Sequence, residues 1–332
     1  MSFADITIGL QNGDEAKGKV THHLCKNGDY THVLRYNGSC NSGHTIYHEG
    51  RKFVTHHIPA GVFYGIKSII GSGCVLNKAQ FFKEIDELEE GGINTKGLIF
   101  IAENTHIITD IHRQEDSKDT KLGTTKQGNG PAYRDKYDRK GIRAMDDPDL
   151  KEYTINLYEE FHENEEVKIL CEGAQGVELD IDWGDYPYVT SSHCTTAGAL
   201  LNAIPPSWVR DVWGVGKVYE TYSGFKDFEP PHPHFPKLRK LGDEYGATTG
   251  RPRQCNWLNI TRLKRAIKIN GVNQVVLNKV DVIRSLGVYR LISDGSHIGF
   301  HTFQEMHDYI DKELKSIDKN IKLHFSGRKD AI

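Results

Sequence analysis

The sequence predicts an α/β fold: one large domain, residues 1–332, on a mostly parallel central sheet with helices on both faces. Three observations carry that prediction. Short apolar runs recur between amphipathic stretches. Several of those runs are followed by loops rich in Gly, Asn, Asp and Lys. The first such loop, Gly13-Asp-Glu-Ala-Lys-Gly-Lys19, has the spacing of a phosphate-binding loop, so the fold is expected to be P-loop-NTPase-like.

Taken in order, the apolar runs Ile6–Leu10, His32–Tyr36, Ser68–Ile70, Leu98–Ala102, Lys168–Glu172, Val212–Val218 and Gln274–Leu277 read as strands. Lys78–Glu90, Asp149–Asn164 and Ile260–Ile269 have helical periodicity. Arg113–Lys126 and Gly224–Pro236 read as mobile surface loops. No internal repeat or clear linker divides the 332 residues. A parallel sheet binds ligands beyond the carboxyl ends of its strands, so the loops after the runs are where chemistry is expected.

Composition narrows the function. Hydrophobic residues make up 37% of the chain and charged ones 26%, which suits a packed core under a polar surface. A formal net charge of −3 gives no basic excess for nucleic acid. No apolar run is long enough to span a bilayer, and no signal peptide is visible. The six cysteines are scattered without a Cys-x-x-Cys pair, which argues against a zinc knuckle and for reduced thiols in the cytoplasm.

The heptad departs from an ordinary phosphate loop in two ways. Val20 stands where a magnesium-binding hydroxyl is usual, and Asp14 places a carboxylate inside the loop. A fixed negative charge repels phosphate, so Asp14 points to a metal ligand, or to a base acting on something bound beside the phosphates. The plain alternative is a turn leading into a solvated helix. Asn41-Ser-Gly-His-Thr45 offers His44 as an acid toward a phosphate oxygen, or as the cap of a turn.

Asn278-Lys-Val-Asp281 ends the last apolar run. One carboxylate there can accept from both the N1–H and the 2-amino group of guanine, and adenine offers neither donor. Gly246-Ala-Thr-Thr-Gly-Arg-Pro-Arg253 suits a carboxylate or sugar hydroxyls. Gly123-Thr-Thr-Lys-Gln-Gly-Asn-Gly-Pro131 suits a second phosphate, and Cys171-Glu-Gly-Ala-Gln-Gly176 places Gln175 where an amide can hold a developing oxyanion. Together these describe a two-nucleotide enzyme with a small acidic co-substrate, or a decorated GTPase.

At this point the residues resemble a known family, adenylosuccinate synthetase, and the resemblance runs nearly end to end. It is carried by the segments just quoted with Ile58-Pro-Ala-Gly61, Gly130-Pro-Ala-Tyr133, Tyr186-Pro-Tyr-Val-Thr-Ser-Ser192 and Thr195-Thr-Ala-Gly198. The resemblance implies a GTP-dependent ligase that joins IMP to L-aspartate through 6-phosphoryl-IMP, with Mg2+ as cofactor and a homodimer as the assembly. It implies Asp14, His44 and Gln175 as catalytic residues, and Asp14 with the Gly43 carbonyl on the metal. Gly13, Glu15, Lys17, Gly18, Thr45, Asn278, Lys279, Asp281, Ser326 and Gly327 would bind GTP. Asn41, Thr124, Thr125, Gln175, Thr190 and Arg251 would bind IMP, with Arg139 donated from the neighbouring subunit. Thr248, Thr249, Arg251 and Arg253 would hold aspartate.

The chain also departs from the family. It is shorter than the common bacterial form, and the family's ribose-side stretch is replaced by Tyr222-Ser-Gly-Phe-Lys-Asp-Phe-Glu-Pro230. Ala16, Asn12 and Lys126 stand where the family has glycine, tryptophan and glycine, and Pro252 interrupts an arginine run. Compact viral relatives act on (d)GMP in place of IMP on the way to 2-aminoadenine, which makes that acceptor, and a host cytoplasm, the alternative. Those relatives replace the loop aspartate and lose the guanine tetrad; Asp14 and Asn278–Asp281 are present here, which favours IMP and GTP.

Overall fold

A computed structural model describes residues 1–163, 166–246 and 250–327. Its centre is a nine-stranded sheet, and every pairing in it is parallel. From edge to edge the strands are Lys322–Ser326, Gln274–Asn278, Val209–Lys217, Phe3–Gly9, Lys168–Glu172, His32–Arg35, Lys67–Ile70, Ile99–Ala102 and Thr154–Ile155. The first strand of the chain therefore lies in the middle.

Successive side chains of a strand point to opposite faces, and here both faces are covered. Leu34, Ile169 and Cys171 pack into one hydrophobic core with the helices Ile260–Asn270, Val280–Leu286 and Phe303–Lys315. Val33, Leu170 and Ile70 pack into the other with Lys17–Asn27 and Lys78–Glu90. The second helix starts at an N-cap, Asn77, whose side chain accepts from the Gln80 amide. A second sheet of four strands, Tyr219–Tyr222, Gln254–Asn259, Tyr289–Ser293 and Ser296–Phe300, continues from the long strand Val209–Lys217. No helix among the described residues is long and apolar enough to cross a membrane.

All seven expected strands are present, and two of the three expected helices match to within a residue. The third does not. Asp149–Asn164 breaks into a turn at Lys151–Tyr153, an edge strand Thr154–Ile155 and a short helix Leu157–His162; Asn164 lies outside the described residues. Asn156 is the reason: its side-chain Oδ1 accepts from the amides of Tyr158 and Glu159, which starts a new helix there, while the β-branched pair before it joins the sheet. The two surface segments are held by specific bonds. Arg113–Asp116 end the helix Asp110–Asp116. The Asp119 carboxylate then accepts from the amides of Lys121, Leu122, Gly123 and Thr124. Gln254 ties down Gly224 through Glu229.

Candidate active site

The loop after the central strand folds around its own charges. Gly13, Asp14 and Ala16 have φ of +84°, +60° and +66°. That left-handed path suits the glycine and is strained at the other two. It turns Glu15 inward, where it is fully buried. Its carboxylate accepts from the amides of Gln11 (3.2 Å) and Gly13 (2.8 Å) and from the Lys17 ammonium (2.6 Å). Lys17 also donates to the Gln175 carbonyl. Asp14 points the other way and is 39% exposed, with its Oδ2 2.9 Å from Arg253 Nε.

His44 lies against the start of the helix Lys17–Asn27. A Cβ on Gly18 would come within 2.9 Å of the His44 Cβ, so glycine is what permits the approach. His44 Nδ1 is 2.6 Å from Glu172 Oε1 and 2.7 Å from Arg35 Nη1, and Arg35 donates to the same Glu172 oxygen at 2.7 Å. Burial, then the neighbouring Arg35, lowers the His44 pKa to about 4, against the pull of Glu172. Burial alone would raise Glu172; His44 and Arg35 overcome it and hold the carboxyl at about 2. Neither Arg35 nor Glu172 was singled out from the sequence for this role. An arginine inside an apolar strand, beside a glutamate ending the neighbouring strand, is the signal that finds them.

These loops surround a cavity of about 650 Å³. Gly13, Asp14, Asn41, Gly43, Thr124, Thr125, Gln175, Thr190 and Arg251 all line it, although they come from six separate loops. Gln175 Nε2 donates to Thr190 Oγ1 at 3.2 Å, and Ser192 Oγ donates to Gln175 Oε1 at 3.1 Å, which fixes the amide orientation. Arg251 Nη1 donates to the Ser223 carbonyl at 3.1 Å. Asn12, Asn41 and Asn129 also face the cavity, each with a buried amide atom that has no partner among the described residues. Buried polar atoms are nearly always paired, so such a wall is built for a polar ligand.

The tetrapeptide Asn278–Asp281 forms a second centre. Asn278 ends its strand in register with Ser326 and donates to the Glu15 carbonyl at 2.8 Å. Lys279 follows with φ +67° and opens the helix Val280–Leu286, whose first turn carries Asp281. Asp281 Oδ1 and Asn278 Oδ1 are buried acceptors with no partner among the described residues. Lys19 reaches Ser326 Oγ and the Gly327 carbonyl, which closes the rim. Thr45 is tied into the hairpin of His44–His48 with Arg51–Thr55.

Several expected residues lie apart from the cavity. Glu15 and Lys17 face inward beneath it. Arg139 is exposed, with φ +61°, beyond the helix Asn129–Tyr137. Thr248 and Thr249 lie outside the described residues. Arg253 is present but bound to two carboxylates, Asp14 and the fully buried Glu244. Glu244 was missed in sequence because nothing marks a glutamate two residues before a glycine-rich turn.

A protein-family model described as adenylosuccinate synthetase matches residues 6–166 and 147–292. The adenylosuccinate synthetase of Halothermothrix orenii is 37% identical over 362 residues, covering 92% of this chain and 83% of that protein. That of Aquifex aeolicus is 37% identical over 331 residues, covering 84% and 76%. Among solved structures, the fully ligated adenylosuccinate synthetase of Plasmodium falciparum superposes with a TM-score of 0.82 at 28% identity, covering 98% of this chain and 96% of that one. The succinoaminodeoxyadenylate synthetase of cyanophage S-2L, bound to dGMP and dATP, shares the fold with a TM-score of 0.76 at 21% identity, covering 98% and 91%.

Proposed function

This chain belongs to the adenylosuccinate synthetase family and is a ligase of purine biosynthesis, and we propose that it joins IMP to L-aspartate at the expense of GTP, by way of 6-phosphoryl-IMP. The observation that carries the reading is the 650 Å³ cavity, where Asp14, Gln175, Thr125, Thr190 and Arg251 meet from loops distant in sequence.

The chemistry follows from those groups. An amide-like oxygen leaves poorly until it is phosphorylated, and removing the N1 proton of IMP makes that oxygen nucleophilic. Asp14, a carboxylate that lines the cavity, is the group to which this reading gives the proton. The 6-oxygen then attacks the γ-phosphate of GTP and GDP leaves; the amine nitrogen of aspartate attacks C6, expels the phosphate and gives up its proton. Gln175, its amide fixed by Thr190 and Ser192, holds charge that develops on the base. Thr125 and Thr190 hold the IMP phosphate.

His44 acts toward the transferred phosphate. Its Nδ1 can accept from Arg35, which leaves the proton on Nε2 for donation, or can donate to Glu172, which steadies the imidazolium once a phosphate arrives. Magnesium fits this wall: Asp14 and Gly43 line one cavity, and a carboxylate and a backbone carbonyl are the hard oxygen donors that ion takes. Bound there, it would neutralise charge on the phosphates. The unpaired acceptors of Asn278 and Asp281 support guanine as the base that is read.

Arg139 supports a homodimer with sites completed in trans. It is exposed, it does not line its own cavity, and Tyr137 (64% exposed), Ile142 (48%) and Met145 (45%) lie close by in sequence. Mixing Arg139→Leu with Asp14→Asn subunits should restore activity that neither homodimer has. Failure to recover it after confirmed subunit exchange counts against a shared site.

The central test is phosphate release with aspartate, offering IMP, GMP and dGMP in turn with GTP or ATP. Release that depends on IMP, aspartate and GTP together is the expected outcome. Release with dGMP and none with IMP would replace the acceptor and leave the mechanism standing.

A further inference from the structure

Glu244 is a fully buried carboxylate that none of the proposed chemistry uses. Four groups converge on it. Arg253 Nη1 donates to its Oε2 at 2.7 Å and Tyr219 Oη to its Oε1 at 2.6 Å. Lys217, itself fully buried, is 3.3 Å away. Lys279 Nζ lies 3.8 Å from Oε1. Burial would raise this carboxyl; Lys217, Lys279 and Arg253 together hold it down at about 2, so it stays charged.

Two of these partners belong to different ends of the site. Lys279 sits in the base-reading tetrapeptide, and it also donates to the Gly242 carbonyl at 2.7 Å. Arg253 holds Asp14 with its Nε, 2.9 Å from Oδ2, while its Nη1 holds Glu244. The turn Gly242–Glu244 is therefore gripped by Lys279 on one side and grips Arg253 on the other. The Arg253 amide donating to the Glu244 carbonyl at 3.0 Å makes that grip doubly fixed. A guanine base lying along the Lys279 stem would set the ammonium, and with it the turn, the guanidinium and the carboxylate of Asp14.

We propose that Glu244 is a positioning residue that couples recognition of guanine at Lys279 and Asp281 to the placement of Asp14, through Arg253. The proposal rests on the base-reading role given to that tetrapeptide above. It makes the base a determinant of turnover as well as of binding, because the wrong base leaves Lys279 and the chain behind it unset.

The test uses the full chain with saturating IMP and aspartate, and measures kcat and KM for GTP and ATP. In the wild type, saturating ATP should turn over at least about fivefold more slowly than GTP, the lower end of usual site-to-site coupling. Glu244→Gln should lower kcat and bring the two values within about twofold of each other, with KM still favouring GTP. Lys217→Met/Glu244→Gln removes both charges of the buried pair, so it leaves no bare ammonium in the core if the single variant fails to fold. It should show the same loss of base dependence. A wild-type kcat that ignores the base overturns the coupling, as does a variant that keeps the wild-type kcat ratio and merely melts earlier. Asp281→Asn separates the two ideas. If it abolishes the KM preference while the Glu244 variants keep a base-dependent kcat, the coupling alone fails. If it leaves the preference intact, the base-reading role falls and takes the coupling with it.

Discussion

The loop after the central strand and the loop after Gln274–Asn278 occupy equivalent places at the carboxyl end of the sheet, yet they are finished differently. Beneath the first, the buried carboxylates are ion-paired: Glu15 has Lys17, and Glu172 has Arg35 and His44, although the Asn12 amide in the loop above them has no partner among the described residues. At the second, Asn278 and Asp281 keep acceptors that no described residue satisfies. The first is an internal ion-pair frame that holds its shape without ligand. The second is left with acceptors that a ligand bearing N–H donors would complete, which is the role proposed for guanine. On the function proposed above, the paired end takes the phosphates that all nucleotides share, where a rigid cradle is enough, and the open end takes the base, where selectivity needs a group that is costly to leave unpaired.

The sharpest break in this comparison is at Asp14, the one loop carboxylate facing outward. Asp14→Asn keeps the loop and loses the base, so turnover of IMP and GTP should fall by about 10²–10⁴ with binding largely intact. Near-normal turnover would remove Asp14 from the chemistry. Next in size is Glu172→Gln, which strips the frame of the charge that favours a protonated His44. We expect turnover to fall about 10–100-fold, as for other groups that orient a catalytic side chain, and the alkaline limb of kcat to move to lower pH than in the wild type, because Glu172 is what favours the protonated imidazole. A uniform loss at all pH values would make Glu172 purely structural.

At the open end the effect is smaller and selective. Asp281→Asn should reduce the preference for GTP over ATP by about tenfold in kcat/KM and leave the KM for IMP alone, since one lost charged hydrogen bond is worth about 1.5–3 kcal/mol. An unchanged preference would make the tetrapeptide a surface turn.

The smallest effect tests the rule behind the comparison, that a buried carboxylate here needs a cation. Glu220 is buried without one in contact, and burial raises its carboxyl from 4.5 to about 7, the backbone amide of Asn259 opposing. A folded pKa above the unfolded one means stability present in acid and lost as pH rises from about 4.5 to about 7. Glu220→Gln should flatten that slope, which amounts to at most about 1.4 kcal/mol per pH unit, in denaturant melts across the window. A variant with the wild-type slope would show that Glu220 is not the titrating group.

How far the sequence alone reaches is visible in the same residues. Apolar runs bounded by glycine located seven of the nine central strands, because a strand covered on both faces must be apolar along its length. The missed edge strands, Thr154–Ile155 and Lys322–Ser326, are short or half polar, since an edge is covered less. The cavity residues were legible because ligand-facing loops are written in local motifs. The partners of those residues were not. Arg35 meets Glu172 across 137 positions of sequence, and Lys19 meets Ser326 across 307, and no spacing rule covers pairs that the sheet order alone creates.

That sheet order has a consequence for how the protein is made. Phe3–Gly9 is made before the other strands of its sheet, but its neighbours are Lys168–Glu172 and Val209–Lys217. At usual elongation rates the wait for the nearer one is on the order of ten to thirty seconds. Meanwhile His32–Arg35, Lys67–Ile70 and Ile99–Ala102 can already pair with one another. The strand that precedes the Gly13–Lys19 loop is thus an apolar segment without a place until Lys168–Glu172 has been made. The loop that carries Asp14 therefore cannot take its final place before both of those neighbours, the later one ending at Lys217, have been made.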